Sequence, residues 1–164
     1  MANNKSDAAI PALGRTIARP SDLGTVQRIV QATINGIYPL YYPSGVVQFF
    51  LDYHTPERIL PDIRAGRVFL FEADSAPVGT GTIRENEITR VFVLPDYQRR
   101  GYGSLMMQQL EELIFRTHGV VKLDSSLPAF GMYLKRGYRP RAWRTIVTPG
   151  GQVLCYHEME KGNH

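Results

Sequence analysis

Cysteine, histidine and long apolar runs are all scarce in this chain of 164 residues, and each scarcity removes a class of explanation. A single cysteine, Cys155, forms no internal disulfide, which fits a reducing, cytoplasmic setting. It lies in an alternating context that reads as a buried strand. His157, two residues on, shares its face on any strand, as packing residues do, so the thiol is read as core rather than nucleophile. His54, His118, His157 and His164 show no spacing of the helical His-x-x-x-His kind, so no metal is expected. No apolar stretch approaches the roughly 20 residues of a membrane span, so no membrane partner is expected. The net charge of +4 is spread out, with no Lys/Arg run interleaved with aromatics, which argues against nucleic acid. Asp124, Ser125 and Ser126 are adjacent, but no histidine stands in a context suggesting a triad, and they read as turn residues.

What is present fits one globular domain, with 43% hydrophobic and 21% charged residues. Residues 1–15 lack the order of a secretion signal and read as a flexible tail, residues 16–161 as the domain, and 162–164 as a short C-terminal tail. Thr16 to Arg19 is strand-like. Ser21-Asp22 then caps a helix with Leu23, Val26, Val30 and Ile34 on one face, ended by Gly36. An aromatic, proline-pinned loop from Tyr38 to Pro43 leads to a helix over Ser44 to Tyr53. Thr55-Pro56-Glu57 opens a shorter helix that Pro61 kinks and Gly66 closes. Strands follow at Arg67 to Glu72, Pro77 to Arg84 and Glu87 to Leu94. The best-defined helix carries Tyr102, Leu105, Met106, Leu110, Leu113 and Ile114 on one side, with Ser104, Gln108, Glu111 and Arg116 facing elsewhere. A strand at Val120 to Leu123, a helix over Pro128 to Arg136 and two strands around Pro149-Gly150-Gly151 complete a mixed α/β order.

The segment Gln98-Arg99-Arg100-Gly101-Tyr102-Gly103-Ser104 joins a strand to that helix. A helix start leaves backbone N–H groups without intrachain acceptors and carries about half a positive charge. Glycine lets the backbone approach a ligand, and Arg99 and Arg100 add two full charges, so a phosphorylated ligand is the expected occupant. A Walker loop would need a Lys-Ser/Thr pair, but Leu105 and Met106 follow Ser104. A dinucleotide fingerprint would need its third glycine at Met106. The remaining pattern, Gln-x-x-Gly-x-Gly after a strand, resembles the pyrophosphate loop of the GNAT superfamily of N-acetyltransferases.

A second stretch, Ala129 to Tyr138, resembles the other signature of that superfamily, in which an alanine, a tyrosine four residues on and a Gly-Tyr pair mark a helix beside the cofactor. The resemblance is strongest from Glu87 to Tyr138. It implies the GNAT fold, a mixed, mostly antiparallel twisted sheet of six to seven strands flanked by four to five helices. It also implies acetyl-CoA as co-substrate, held by Phe92, Val93, Leu94, Gln98, Arg99, Arg100, Gly101, Tyr102, Gly103, Ser104, Ser126 and Tyr133. Many members have asparagine where this chain has Ser126. Tyr133 would protonate the departing thiolate.

The chemistry so implied needs a proton acceptor, because an amine near pH 7 is mostly protonated and only its neutral form attacks a thioester. Glu87 stands eleven residues before Gln98, the offset of the general-base glutamate in the histone-acetylating branch, with Glu72 and Glu85 in reserve. The aromatic loop falls where such proteins place their acceptor groove, and Tyr41 or Tyr42 is expected to touch the acceptor. The expected activity is direct transfer of an acetyl group to a primary amine, small molecule or peptide, in a ternary complex. A non-catalytic acyl-CoA sensor of the same fold is the alternative, and a homodimer is compatible with either.

Overall fold

Alternation of apolar residues builds seven strands, and a computed structural model, which describes residues 12–163, joins them in one sheet. In chain order the elements are β1 (Gly14–Ile17), α1 (Leu23–Ile37), α2 (Ser44–Tyr53), α3 (Pro56–Arg64), β2 (Val68–Ala73), β3 (Ala76–Arg84), β4 (Glu87–Val93), α4 (Tyr102–Phe115), β5 (Val120–Ser125), α5 (Leu127–Lys135), β6 (Arg139–Val147) and β7 (Val153–Gly162). The sheet runs β1-β2-β3-β4-β5-β7-β6 and is antiparallel throughout except where β5 lies parallel to β4. The tails are shorter than expected: Gly14 and Arg15 pair with Glu72 and Phe71, and β7 extends through Gly162. Residues 1–11 and His164 lie outside the described residues.

The period of two along each strand divides the core in two. Val68 and Leu70 face α1, α2 and α3, joining Val26, Ile29, Val30 and Ile34. Phe69 and Phe71 face α4, joining Met106, Met107, Leu110 and Ile114. Each of these α4 side chains is at most 2% exposed, and burying one is worth about 1.5–3 kcal/mol. The helix comes unusually close to β3: a Cβ at Gly79 would lie 2.5 Å from Met106 Sδ, and one at Gly81 would lie 2.7 Å from Leu110 Cδ1. Gly36 does not end α1, which continues to Ile37 with the Tyr38–Leu40 3-10 turn directly after it.

Glu111 departs from its expected solvent position, being only 4% exposed. Three donors make that burial tolerable: Arg136 at 2.8 and 3.1 Å, Lys161 Nζ at 2.8 Å and the Tyr138 hydroxyl at 3.0 Å. Burial alone would raise its pKa, but the bonds from Arg136 and Lys161 outweigh it and hold the carboxyl below the usual range. The network ties α4 to the residues on either side of Gly137 and to β7, and it anchors the helix that follows the glycine loop.

Candidate active site

The site begins where β4 and β5 part. Their parallel pairing covers only Glu87 with Lys122 and Ile88 with Leu123. Beyond that point a bulge places one extra β4 residue between the pairs Thr82/Thr89 and Thr80/Phe92, and Arg90 takes a left-handed φ of 48°. The bulged strand bends away, and a fork opens from Thr89 to Val93.

Backbone alternation decides which groups face that fork. Leu94 N–H donates to Val78 O at 2.8 Å, so Leu94 and, two residues back, Phe92 direct their backbone groups toward β3. Val93 is turned the other way. Its carbonyl accepts from Thr33 Oγ1 at 3.0 Å and Gln98 Nε2 at 2.9 Å, leaving its N–H as the donor aimed into the fork. Of Phe92, Val93 and Leu94, all expected to contribute through the backbone, Val93 alone is placed to do so, and Phe92 contributes its side chain to the cleft wall.

Gln98 ties the glycine loop to the strand end by that 2.9 Å bond. Arg99 has a left-handed φ of 60°, and Gly101, the residue before α4, has a φ of 86°. A Cβ at Gly101 would touch nothing within 4 Å, so the backbone angle is what favours glycine there. No side chain caps α4, so its first N–H groups have no side-chain acceptor. Arg99 and Arg100 are exposed beside this helix start, Arg100 lying 5.6 Å above the Tyr97 ring. Tyr102 is buried in the core, and the Ser104 hydroxyl accepts from Arg136 at 2.8 Å while its own O–H can still donate, so the loop backbone, the two arginines and Ser104 are the available anion donors. That donor set fits a pyrophosphate.

A cleft of about 400 Å³ lies alongside the fork, and Glu87, Asp124, Ser126, Ala129 and Tyr133 line it together. Two residues implied by the resemblance, Glu87 from β4 and Tyr133 from α5, thus share one cavity. Tyr133 is 6% exposed, and its hydroxyl has no hydrogen-bond partner among the described residues. Burial holds that phenol well above its usual range, so it stays protonated at neutral pH. Glu72, one of the reserves, lies on β2 away from this cleft, and Glu85 is likewise not among its lining residues.

The aromatic loop contributes differently from expectation. Tyr42 is buried and its hydroxyl accepts from Leu127 N–H at 2.7 Å, satisfying the start of α5, while Tyr41 is 50% exposed and outside the cleft. The aromatic wall is instead built by Tyr38, Phe49, Phe50 and Tyr53, with Tyr38 edge-on to Phe50 at 4.7 Å. Burial pushes the Tyr38 hydroxyl up to about 12.

Beside this wall lies a buried ionic cluster without a signal in the one-dimensional pattern. Asp62, with a side chain 3% exposed, binds Arg84 at 2.7 Å, Arg67 at 3.5 Å and the bulge residue Arg90. Arg90 also donates to His54 Nδ1 at 3.3 Å and Arg58 O at 3.2 Å, so its residue-to-residue bonds hold the bulge in place. Burial, then the nearby charges of Arg90 and Arg58, lower His54 to about 3, so it is neutral at pH 7. Asp124 is the other lining residue that the turn reading missed. The alternation of buried Val121 and Leu123 was its signal, because it places Asp124 on the opposite face of β5.

Residues 64–140 match the family model described as an acetyltransferase (GNAT) domain. Among curated proteins, none matches the sequence significantly. Among solved structures, a GCN5-related N-acetyltransferase from Rhodopseudomonas palustris aligns with a TM-score of 0.81 at 23% identity over 94% of this chain and 97% of its own. The PaiA N-acetyltransferase of Thermoplasma acidophilum, solved with coenzyme A, gives 0.73 at 18% identity over 93% and 99%. YncA of Salmonella typhimurium, solved with acetyl-CoA, gives 0.68 at 15% over 92% and 94%. The strand order, the solved structures and the match over residues 64–140 lead to one conclusion: the chain has the GNAT fold.

Proposed function

We propose that this protein transfers the acetyl group of acetyl-CoA to a primary amine, directly and within a ternary complex. The observation that carries the reading is the convergence of Glu87 and Tyr133 on one cleft beside the β4–β5 fork. The start of α4, with Arg99 and Arg100, binds the pyrophosphate. Val93 N–H donates to the thioester carbonyl oxygen as negative charge grows there, and such a donor in a dry site is worth about 3 kcal/mol. Glu87 receives a proton from the amine, directly or through water, and Tyr133 protonates the departing thiolate. Tyr38, Phe49, Phe50 and Tyr53 form the apolar side of the acceptor groove.

Release of the coenzyme A thiol over a panel of small and peptide amines tests the reading and separates it from a sensor that binds without turnover. Glu87→Gln is expected to lower turnover by about 10²–10⁴ with nearly intact acetyl-CoA binding. Tyr133→Phe is expected to slow turnover without weakening that binding by calorimetry. A parallel loss of binding in Tyr133→Phe would make the tyrosine structural and remove it from the mechanism.

A further inference from the structure

Helices α1, α2 and α3 cover only part of their side of the sheet. Over β3 and β4 the packing helix is α1, while on β5 and on β7 beyond buried Leu154 the same face carries polar residues. Lys122 and Asp124 project there opposite buried Val121 and Leu123, and Glu158 joins them because it pairs directly with Asp124. Glu87 pairs with Lys122 and shares the face. Asp124 is therefore the first polar residue of β5 beyond the last β4–β5 pair, at the base of the fork. Glu87 stands one pair earlier on the neighbouring strand.

The partners of the surrounding charges are already assigned. Arg84, from β3, is bound to Asp62, and Arg144, from β6, binds Glu158 at 2.9 Å. Neither Glu87 nor Asp124 accepts a hydrogen bond among those found for the described residues, so two carboxylates face the cleft with no cation bound to either. Two further polar groups at the fork also lack partners: the hydroxyl of Tyr133, which is 6% exposed, and the buried Thr89 Oγ1. The site offers acceptors for an ammonium group on one side and an unengaged donor on the other.

We propose that Asp124 is a second catalytic carboxylate, the group that takes the first proton from the acceptor ammonium, while ionised Glu87 holds that ammonium in the fork. The proposal rests on the N-acetyltransferase reading and names a residue within that site. One N–H bond of the ammonium breaks, its electron pair stays on nitrogen, and an O–H bond forms on Asp124. The freed pair then forms the C–N bond while the carbonyl π pair moves onto oxygen. Loss of a second proton from nitrogen, to Glu87 or water, and return of the oxygen pair break the C–S bond, and the sulfur takes its proton from Tyr133, which one of the two abstracted protons then restores. The net change is one ammonium and one thioester converted to an amide, a thiol and a released proton.

The electrostatics are consistent with this division. Asp124 keeps an exposed surface at the cleft edge, so its desolvation is partial; that desolvation, then Glu87, then Glu158 raise it to about 6, with Arg144 acting in the opposite direction. The remaining groups on this face are Lys122 beside Asp124 on β5, Tyr156 on β7, Arg84 on β3 and, from α2, Tyr53 with neutral His54 after it. An acceptor with a pKa near the working pH is the better general base.

Two measurements test the proposal. In the free protein, a ¹³C NMR titration of the carboxyl groups is expected to show Asp124 titrating near 6 and moving down in Glu87→Gln. In turnover, Asp124→Asn is expected to lower kcat by about 10²–10⁴ and to abolish the acidic limb of the pH profile, with an unchanged melting temperature. Asp124→Glu is expected to keep the limb at a reduced rate, and Glu87→Gln to keep it displaced to lower pH. An Asp124 carboxyl that titrates at the ordinary aspartate value overturns the proposal, as does Asp124→Asn with wild-type kcat and an intact limb. A wild-type protein that acetylates no amine overturns the transfer reading itself. That result differs from the others, in which wild type stays active and only the variant profiles decide.

Discussion

Asp62→Asn is the perturbation whose cost follows most directly from the geometry. The substitution preserves shape and removes the negative charge on which Arg67, Arg84 and Arg90 converge. Arg67 and Arg84 have side chains 52% and 45% exposed and can turn to water, so their loss is small. Arg90 is 7% exposed and bound to the bulge, so its charge stays buried without a counter-ion. Breaking a buried pair in this way costs about 3–5 kcal/mol. For a domain of this size each kcal/mol lowers the melting temperature by about 2–4 °C, which predicts a fall of about 6–20 °C. Thermal unfolding followed by circular dichroism reads it. The double variant Asp62→Asn/Arg90→Met should be less destabilised than the sum of the singles, because the second change removes the stranded charge. A fall under about 2 °C, or strict additivity, would refute the argument that the cluster holds the bulge through charge.

Gly101→Ala places a Cβ at a φ of 86° and is expected to cost about 1–2 kcal/mol in unfolding experiments and to weaken coenzyme A binding by calorimetry. Tyr42→Phe strands Leu127 N–H and should destabilise the fold by about 1–3 kcal/mol in denaturant titration, while the KM for the amine stays at the wild-type value. Asp62 and Glu111 are both held below their ordinary values of 3.8 and 4.5, so as pH falls the unfolded chain takes up these protons first. Their stabilisation is present in full above those ordinary values and is lost as pH falls through the folded-state values; urea midpoints at pH 7 and pH 3 check it, and equal midpoints would exclude the effect.

Much of this was legible in one dimension. The extent of α4 could be read from apolar residues at three and four, and the two core faces of β2 from alternation. Gly101 and Tyr133 stood where the resemblance to the two GNAT signatures places a loop glycine and a helix tyrosine. Boundaries were read less well where tertiary pairing extends an element beyond its own pattern: β1 starts at Gly14 because Glu72 is there to pair with it. Glu111 looked solvated because its three donors come from residues 136, 138 and 161, far away in sequence. Tyr41 and Tyr42 were plausible acceptor contacts on composition. Which tyrosines of an aromatic loop face a cleft depends on how the loop folds, and here Tyr38 turns inward while Tyr42 meets α5.

The sequence by itself determined the element order and the two glycines and two arginines in the turn after β4, since these follow from local periodicity, glycine placement and charge, while the roles of Glu87 and Tyr133 came from the resemblance to the GNAT signatures. Only the tertiary structure decided where β4 and β5 part, that Val93 N–H is the backbone donor in the fork, and that Asp124 stands beside Glu87. The physical reason is the bulge at Arg90. A left-handed arginine has no glycine to announce it, and it is maintained by Asp62, a residue 28 positions away that the sequence presents as one more charge on a short helix.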